Sequence, residues 1–388
     1  MWRRTSIVRG LMQLRSQRKR PLVTDAVEAP AVEAAPRGSE KKPRANARPS
    51  AKNRAEIQVV EVNDDADKIV HQYPKLVPAR LIRRYKRFLA DVVLVDADDE
   101  SRVDEKNAVT IYCPNTGPMV GLLDEPLTRV QLSKSDDPKR KYAYTLEMVR
   151  IHNGERHVWV GVHSASANYM VERALTNQWF RHEIGAFDTL QREVKFAKNS
   201  RVDFVLSTRD DTGDLIHQKY VEVKSVTLAL SMGSNVANAI DRCAVFPDTV
   251  SERASKHVQE LMELIHQRSE AIAKAEEKEK EGDIAAKPKR VSLSGAIVFV
   301  VQRDDCDAFM PSLVHDKKFA QLCAEAEKAG IQLLAYACQL EPQEAEQKGL
   351  VRLLKSLPLH AQRVQVSEKE EEEVVKQKKN KKNKNMEK

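Results

Sequence analysis

The hydrophobic pattern of the chain changes at about residue 164, and this change constrains the fold more than any other feature. Between residues 76 and 163, five short runs of β-forming residues are separated by clusters of Asp, Asn, Gly and Pro. From residue 164 to 341, helical and strand patterns alternate instead. The first block predicts a small barrel, for which an OB-fold is the natural candidate. The second predicts an α/β sandwich with a mixed sheet.

The predicted elements follow from these patterns. In the first block, strands are expected at 80–96, 108–113, 127–133, 142–152 and 156–163. In the second block, helices are expected at 167–180, about 249–270 and 316–329, with strands at 191–197, 202–207, 219–226, 295–302 and 331–338. Because side chains alternate along a strand, Tyr85 or Phe88 is expected to point into the barrel.

The two ends of the chain carry its basic character. The net charge of +8 is concentrated in residues 1–22, with seven basic residues and no acid, and in residues 376–388, with seven lysines and one glutamate. The body between them is net acidic, so a nucleic-acid partner would have to be recognised by local patches. Residues 1–75 are predicted to form a presequence and a disordered linker. Residues 342–388 are predicted to form a charged, mostly disordered tail.

The first 22 residues have the pattern of a mitochondrial presequence. They are rich in Arg, lack acids and place Ile7, Val8, Leu11 and Leu14 on one helical face. The alternative is a disordered basic tail that binds RNA or nothing. The presequence would direct the protein to the mitochondrial matrix, and otherwise the chain would be cytoplasmic.

Two function classes are excluded by composition. The longest apolar run, residues 296–301, is far shorter than the ~20 residues of a membrane-spanning helix, so neither an integral membrane protein nor a membrane partner is expected. The five cysteines form no close pair, which argues against a disulfide scaffold or a zinc finger.

The sharpest local signal is Val221-Glu222-Val223-Lys224, in which Glu222 and Lys224 share one face of a strand. Asp203 lies on the preceding strand, which a hairpin brings alongside Glu222. Two carboxylates and a lysine on adjacent strands suit Mg²⁺ or Mn²⁺ bound to a substrate phosphate, with Lys224 orienting a water. Two ionised carboxylates so placed repel each other, so at least one is expected to have a raised pKa without metal. The alternative is a salt-bridged strand surface.

Other candidate residues carry equally open alternatives. The cations Arg84, Lys86 and Arg87 alternate with aromatic residues and could track a phosphate backbone, or they could be solvated surface. Lys256 and His257 could bind phosphate, or form an ordinary helix-surface pair. Glu172 on the first predicted helix could join the metal site, or face solvent.

The chain resembles the sugar fermentation stimulation protein family of bacteria and archaea over about residues 82–338. The resemblance is carried by residues 84–91, 113–117, 200–203, 220–228, 246–248, 253, 256–257 and 301–303. It implies an N-terminal OB-fold, a C-terminal domain like the PD-(D/E)xK nucleases, and DNA binding. The presumed nuclease residues of the family fall on Asp203, Glu222 and Lys224. Residues 268–292 look like an insertion, and the predicted presequence indicates a eukaryotic organellar member.

These features support three functions. The first is a metal-dependent phosphodiesterase acting on nucleic acid, DNA before RNA, with Asp203 and Glu222 as metal ligands and Lys224 as the third catalytic residue. In this reading Arg84, Lys86, Arg87, Arg253, Lys256 and His257 bind nucleic acid. The second function is a catalytically silent DNA-binding regulator with the same fold. The third is a structural subunit of a mitochondrial nucleoprotein particle.

Overall fold

The computed structural model describes residues 57–58, 67–95, 104–197, 200–232, 242–280 and 291–360. The predicted presequence and the lysine-rich end of the chain lie outside these residues.

The described residues form seventeen strands and four α-helices, numbered here in chain order. The strands are β1 (Ile57–Gln58), β2 (Ile69–Tyr73), β3 (Val77–Tyr85), β4 (Leu89–Leu94), β5 (Val109–Tyr112), β6 (Thr128–Lys134), β7 (Tyr144–His152), β8 (His157–Gly161), β9 (Thr189–Lys195), β10 (Arg201–Arg209), β11 (Leu215–Val226), β12 (Leu228–Ser231), β13 (Arg242–Phe246), β14 (Ser292–Val301), β15 (Ala308–Pro311), β16 (Gln332–Gln343) and β17 (Lys348–Leu357). The helices are α1 (Ser166–Thr176), α2 (Arg181–Ile184), α3 (Glu252–Lys280) and α4 (Lys317–Lys328).

Strands β3 to β7 form a barrel in the order β5-β4-β3-β6-β7, closed by pairing of β5 with β7. Its interior is filled by aliphatic residues, as the alternation of apolar and polar residues along each strand requires. The predicted OB-fold is confirmed. The single strand predicted at 80–96 is wrong, because β3 and β4 form a hairpin whose turn contains Lys86 and Arg87, both at positive φ.

The second domain is built on an eight-stranded mixed sheet with the order β1-β9-β10-β11-β14-β16-β17-β2. Helix α1 covers one face, where its buried Met170 and Val171 pack with Val221 of β11. Helices α3 and α4 cover the other face, and their residues pack with the continuous apolar run of β14. The run is apolar on both sides because β14 pairs in parallel with β11 and β16 and is covered on both faces. The predicted α/β architecture with a mixed sheet is therefore confirmed.

The main sheet extends into segments that were predicted to be linker and tail. Strand β17 lies beyond the predicted domain end at residue 341, and it pairs with both β16 and β2. Strands β1 and β2 likewise lie within the predicted linker. The basic and polar residues that flank β17 hide its apolar centre, but Val351 is fully buried and Leu350 is buried. Burial against the sheet, rather than composition, decides the structure of this segment.

Three further expectations are tested by the fold. Neither Tyr85 nor Phe88 lies in the barrel interior: Tyr85 donates its hydroxyl to Asp91, and Phe88 is 46% exposed. This corrects the prediction of an inward aromatic residue, since aliphatic side chains alone fill the barrel. All five cysteines are buried and unpaired. Among the described helices, none combines the length and the apolar character needed to cross a membrane.

The two domains share buried polar contacts. The Gly161 amide at the end of β8 donates to the carbonyl of Gln302, which follows β14. On another side, Glu344 accepts hydrogen bonds from Arg129 and Gln131 of the barrel strand β6. These contacts hold the barrel against the end of the sheet at which the candidate site lies.

Candidate active site

The candidate site forms where strands β10 and β11 cease to pair. Their antiparallel ladder begins at Phe204 and Val221 and continues toward the hairpin. The next residue on each strand is an acid, Asp203 or Glu222. In place of a further ladder bond, Asp203 Oδ2 accepts the backbone N–H of Val223 at 2.7 Å. The side chain of Asp203 is therefore fixed beside the backbone that carries Glu222.

Glu222 lies at the floor of the site and is only 5% exposed. Its Oε1 accepts from Lys224 Nζ at 2.6 Å and lies 2.5 Å from His257 Nδ1 of α3. Burial alone would raise the pKa of Glu222, but the Lys224 ammonium and the contact with His257 outweigh burial and hold the pKa below its ordinary value. Glu222 is therefore favoured in its charged form, although it is buried.

Asp203 has the opposite electrostatic environment. Burial and the negative charge of Glu222 raise its pKa from 3.8 to about 6, against the hydrogen bond from Val223, the Lys224 charge and the hydrogen bond from Asn168. Asn168 Nδ2 of α1 donates to Asp203 Oδ1 at 2.6 Å. The expectation that one carboxylate of the pair has a raised pKa without metal is confirmed for Asp203.

These side chains line a cleft of about 800 Å³ between the two domains. Asp203, Glu222 and Lys224 lie together in it, as the spacing on β10 and β11 predicts. The barrel contributes Arg87 and the loop 115–117. The wall opposite the barrel includes residues of α1, β9 and the start of α3. The site is thus built by both domains.

The barrel loop at residues 113–119 is attached to both domains. On the barrel side, Arg84 Nη2 donates to the carbonyl oxygen of Asn115 at 2.7 Å. On the other side, Ser164 Oγ donates to the carbonyl of Pro114 at 3.0 Å, and the Met119 amide donates to Asp248 Oδ2 at 3.0 Å. A side chain at Gly117 would place its Cβ 2.9 Å from Asp248 Oδ1, so only glycine allows this approach. The loop therefore forms a fixed wall of the cleft.

The six predicted nucleic-acid-binding residues separate into three groups. Arg87 and Arg253 line the cleft from different domains. The guanidinium of Arg84 is held by backbone carbonyl groups of the barrel, and His257 contacts Glu222. The remaining two have other surroundings: Lys86 is an exposed residue of the β3–β4 turn, and Lys256 pairs with Glu260 at 3.6 Å along α3.

Glu172 does not join the two acids. Its carboxylate pairs with Arg192 of β9 at 2.6 Å, and it is not among the residues that line the cleft. The structure therefore assigns it to an ion pair between α1 and the sheet.

Three residues of the cleft were not found from the sequence as parts of a site. Asn168 and Tyr169 follow the start of α1, and Asp248 follows the cis peptide bond between Phe246 and Pro247. Their proximity to Asp203 depends on how α1 and the barrel loop pack against the sheet. The one available signal was the motif Phe246-Pro247-Asp248, which the family resemblance singled out without a role.

The donor set fits a hard divalent cation. The described part of the chain contains no group of three or more His, Cys, Asp and Glu residues arranged to hold a metal. Asp203 and Glu222 offer two carboxylates, and Mg²⁺ is commonly bound by one or two carboxylates with water and substrate phosphate completing its shell. Within the described residues, Glu222 Oε2 accepts no hydrogen bond, so one carboxylate oxygen is available.

Family models match both domains. The model described as the SfsA N-terminal OB domain matches residues 82–162. The model described as the sugar fermentation stimulation protein RE domain matches residues 165–274 and 286–344. The unmatched residues 275–285 fall within the stretch 268–292 that the sequence indicated as an insertion.

Curated relatives match most of the chain. A sugar fermentation stimulation protein homologue of Crocosphaera subtropica is 33% identical over 286 residues, covering 73% of this chain and 97% of the relative. The homologue of Desulfotalea psychrophila is 36% identical over 261 residues, covering 67% of this chain and 87% of that protein. A solved structure, described as SfsA of Pyrococcus furiosus in complex with Ca²⁺, matches with a TM-score of 0.54 and 19% identity, covering 75% of this chain and 99% of that chain. This structural likeness supports the same fold.

Proposed function

The chain belongs to the sugar fermentation stimulation protein family, and on this premise we propose that it is a metal-dependent phosphodiesterase acting on nucleic acid. The observation that carries the proposal is the fixed placement of Asp203 and Glu222, with Lys224, at the floor of one cleft. Two buried acids whose pKa values are displaced in opposite directions are typical of functional sites. The printed title of the Pyrococcus furiosus relative, which names Ca²⁺, supports a divalent cation as the cofactor.

In this proposal the two carboxylates bind Mg²⁺ or Mn²⁺. When bound, such a cation stabilises negative charge on phosphoryl oxygens and lowers the pKa of a coordinated water. The Val223 amide and Asn168 orient Asp203, so that its oxygens are presented to the cleft in one conformation. His257 has a positioning role, because its contact with Glu222 Oε1 leaves Oε2 to face the cation.

Lys224 acts on the reacting groups in this proposal. Its ammonium has three donors, and one of them is used by Glu222 at 2.6 Å. The remaining donors can hold an attacking water or a phosphoryl oxygen. Because Lys224 is only 9% exposed, its charge is weakly screened by solvent and acts strongly at short range.

The substrate is proposed to be DNA, with RNA as the second choice. Arg87 of the barrel and Arg253 of α3 line the cleft from two sides, and cations so placed suit a phosphate backbone. Within the described chain, Arg253 forms no ion pair or side-chain hydrogen bond, so its charge is available to a ligand.

Cleavage of end-labelled DNA and RNA oligonucleotides with Mg²⁺ or Mn²⁺ tests this proposal. Wild type is expected to cut at least one of these substrates, whereas Asp203→Asn and Glu222→Gln should lose at least 10²-fold of the rate. Glu172→Gln is the control, since its carboxylate pairs with Arg192 outside the cleft, and it should keep most of the activity.

A second function is distinguished by the same experiment. The Lys224 and His257 contacts satisfy Glu222 without a metal, which is the arrangement a catalytically silent DNA-binding protein would keep. Binding without cleavage, together with a melting temperature insensitive to Mg²⁺ and Mn²⁺, would favour this regulator and contradict the phosphodiesterase. Absence of both binding and cleavage would favour the structural-subunit alternative.

A further inference from the structure

The wall of the cleft formed by α1 carries an exposed aromatic residue beside the two acids. Tyr169 is 54% exposed and follows Asn168, whose amide is bonded to Asp203. The guanidinium of Arg192 lies 5.1 Å from the centroid of the Tyr169 ring. Arg192 is itself held by its 2.6 Å ion pair with Glu172. The ring therefore lies against a fixed cation, and its exposed surface is on the side of the cleft.

An exposed tyrosine in this position suits a nucleobase. A base can stack on an aromatic ring irrespective of its identity, and a neighbouring cation favours the phosphate that follows it. A base is free to stack on a protein side chain only when it is not stacked within a duplex. The ring thus indicates a nucleic acid with at least one unpaired base at the scissile position.

The dimensions of the cleft agree with this interpretation. Its volume of about 800 Å³ lies within the range of about 300–1,000 Å³ that small-ligand pockets occupy, which is room for a short piece of one strand. Glu222 and Lys224 are at its buried floor, so the phosphate must enter the cleft rather than rest on a surface. The opposite wall is held by the Met119–Asp248 and Ser164–Pro114 hydrogen bonds, which oppose widening to admit a duplex.

We propose that the cleft binds single-stranded nucleic acid, with an unpaired base stacked on Tyr169 and the adjoining phosphate directed to Asp203 and Glu222. This inference rests on the proposed function for the identity of the reacting site. The base platform, however, can be tested by binding alone. DNA and RNA single strands share this chemistry, and separate arms of the experiment distinguish them.

The test measures the affinity of single-stranded DNA, single-stranded RNA and blunt duplex DNA of one sequence. It uses the full chain in the Asp203→Asn background, so that no substrate is consumed. We expect at least one single strand to bind about tenfold or more tightly than the duplex. Tyr169→Ala should weaken single-strand binding about tenfold, and Tyr169→Phe, which keeps the ring, should restore it.

Tyr142→Ala is the matched control. Tyr142 also carries a cation over its ring, Lys141 at 5.3 Å, but it is not among the residues that line the cleft. This variant should bind as its parent does. Equal affinity for single strand and duplex, or an unchanged affinity of Tyr169→Ala, would overturn the inference.

The two proposals fail in different ways. If wild type cuts duplex DNA as fast as single strands and Tyr169→Ala has no effect, the phosphodiesterase stands and the single-strand inference is wrong. If no cleavage occurs with any substrate but single-strand binding depends on the Tyr169 ring, the inference stands and the phosphodiesterase is wrong.

Discussion

The two acids of the cleft differ because of the charges around them. Lys224 and His257 favour the ionised form of Glu222, whereas burial and the Glu222 charge disfavour the ionised form of Asp203. A buried carboxylate that must ionise at neutral pH lowers the stability of the folded state. Asp203 therefore carries a stability cost that a bound cation would remove, which links metal binding to folding.

Replacement of Asp203 by Asn should make the metal-free protein more stable at neutral pH. The folded-state pKa of about 6 lies above the ordinary value of 3.8, so the folded state binds more protons between these values and stability falls as pH rises through them. The cost is absent below the lower value and complete above about 6, where it amounts to at most about 3 kcal/mol. The Asn168 amide can rotate to offer its oxygen to the new side chain.

Urea unfolding with EDTA at about pH 4 and about pH 7.5 measures this difference. The variant should exceed wild type in free energy of unfolding at the higher pH only. In the presence of Mg²⁺ the wild type should gain stability and the variant should not. Equal stability of the two proteins at neutral pH without metal would contradict the raised pKa.

The site residues that the sequence predicted are those whose proximity is local. Glu222 and Lys224 are two residues apart on one strand, and Asp203 lies on its hairpin neighbour. Asn168 and Asp248 could not be predicted in this way, because their positions depend on the packing of α1 and of the barrel loop. Similarly, the sequence could not separate Arg84, which is bonded to backbone carbonyls, from the neighbouring cations.

At the scale of elements, the β3–β4 hairpin carries the barrel's contribution to substrate binding. Lys86 and Arg87 lie in its turn, and Arg87 reaches the cleft. Their joint replacement by Ala should weaken nucleic-acid binding and flatten the plot of log affinity against log salt by about 0.7 per lost contact with a single strand. Titrations at several salt concentrations give this slope.

The control for this prediction is Lys139→Ala with Lys141→Ala, which removes the same charge from the loop between β6 and β7. That pair should leave the slope nearly unchanged, because neither residue lines the cleft. Arg84→Ala should instead lower the melting temperature, since its guanidinium holds the Asn115 carbonyl. Equal slopes for wild type and the hairpin variant would mean that Lys86 and Arg87 are solvated surface.

Elements with a long apolar run or a strong alternation were predicted well, and those with mixed composition were not. Strand β14 is apolar throughout and was found nearly in full, whereas β17 was assigned to the tail because basic residues interrupt it. The sequence cannot show that β2, about 275 residues earlier, pairs with β17. Such pairing is a property of the assembled sheet.

Truncation tests the structural role of β17. Ending the chain after residue 341 removes buried Leu350, Val351 and Leu357 and leaves the edges of β16 and β2 unpaired. This variant should fail to fold, because the loss of several buried aliphatic side chains at about 2–5 kcal/mol each exceeds the stability of an ordinary domain. Ending the chain after residue 360 should leave the melting temperature within a few degrees of wild type. A folded, soluble chain ending at 341 would show that β17 is dispensable.

At the scale of the whole molecule, the amino-terminal segment is predicted to act as an address rather than as part of the fold. It contains seven basic residues and no acid, and it lies outside the described residues. Fusion of residues 1–40 to a fluorescent protein should therefore direct it to mitochondria. The same fusion with the seven basic residues replaced by Gln should remain diffuse. A diffuse signal from the unaltered fusion would contradict the mitochondrial presequence.

Because residues of both domains line the cleft, the barrel and the sheet are expected to unfold together. Gly161 lies at their interface, and a Cβ there would stand 2.4 Å from Gln302 Oε1 and 2.9 Å from Leu340 Cδ2. Gly161→Ala should therefore reduce stability by about 1–3 kcal/mol through overpacking. Gly295→Ala is the matched change inside the second domain, where the Cβ would meet Ile265 Cδ1 at 2.7 Å.

Fluorescence of variants that retain only Trp159 of β8 or only Trp179 beyond α1 reports the two domains separately. In wild type and in both glycine variants, the two signals should change at one temperature, as a cooperative unit requires. The interface also contains the Arg129–Glu344 pair and the Arg156–Asp304 pair, each of which would have to break before one domain could unfold alone. If Gly295→Ala lowers the transition of Trp179 and leaves that of Trp159 in place, the domains are independent. In that case the barrel wall of the cleft would not depend on the second domain for its structure.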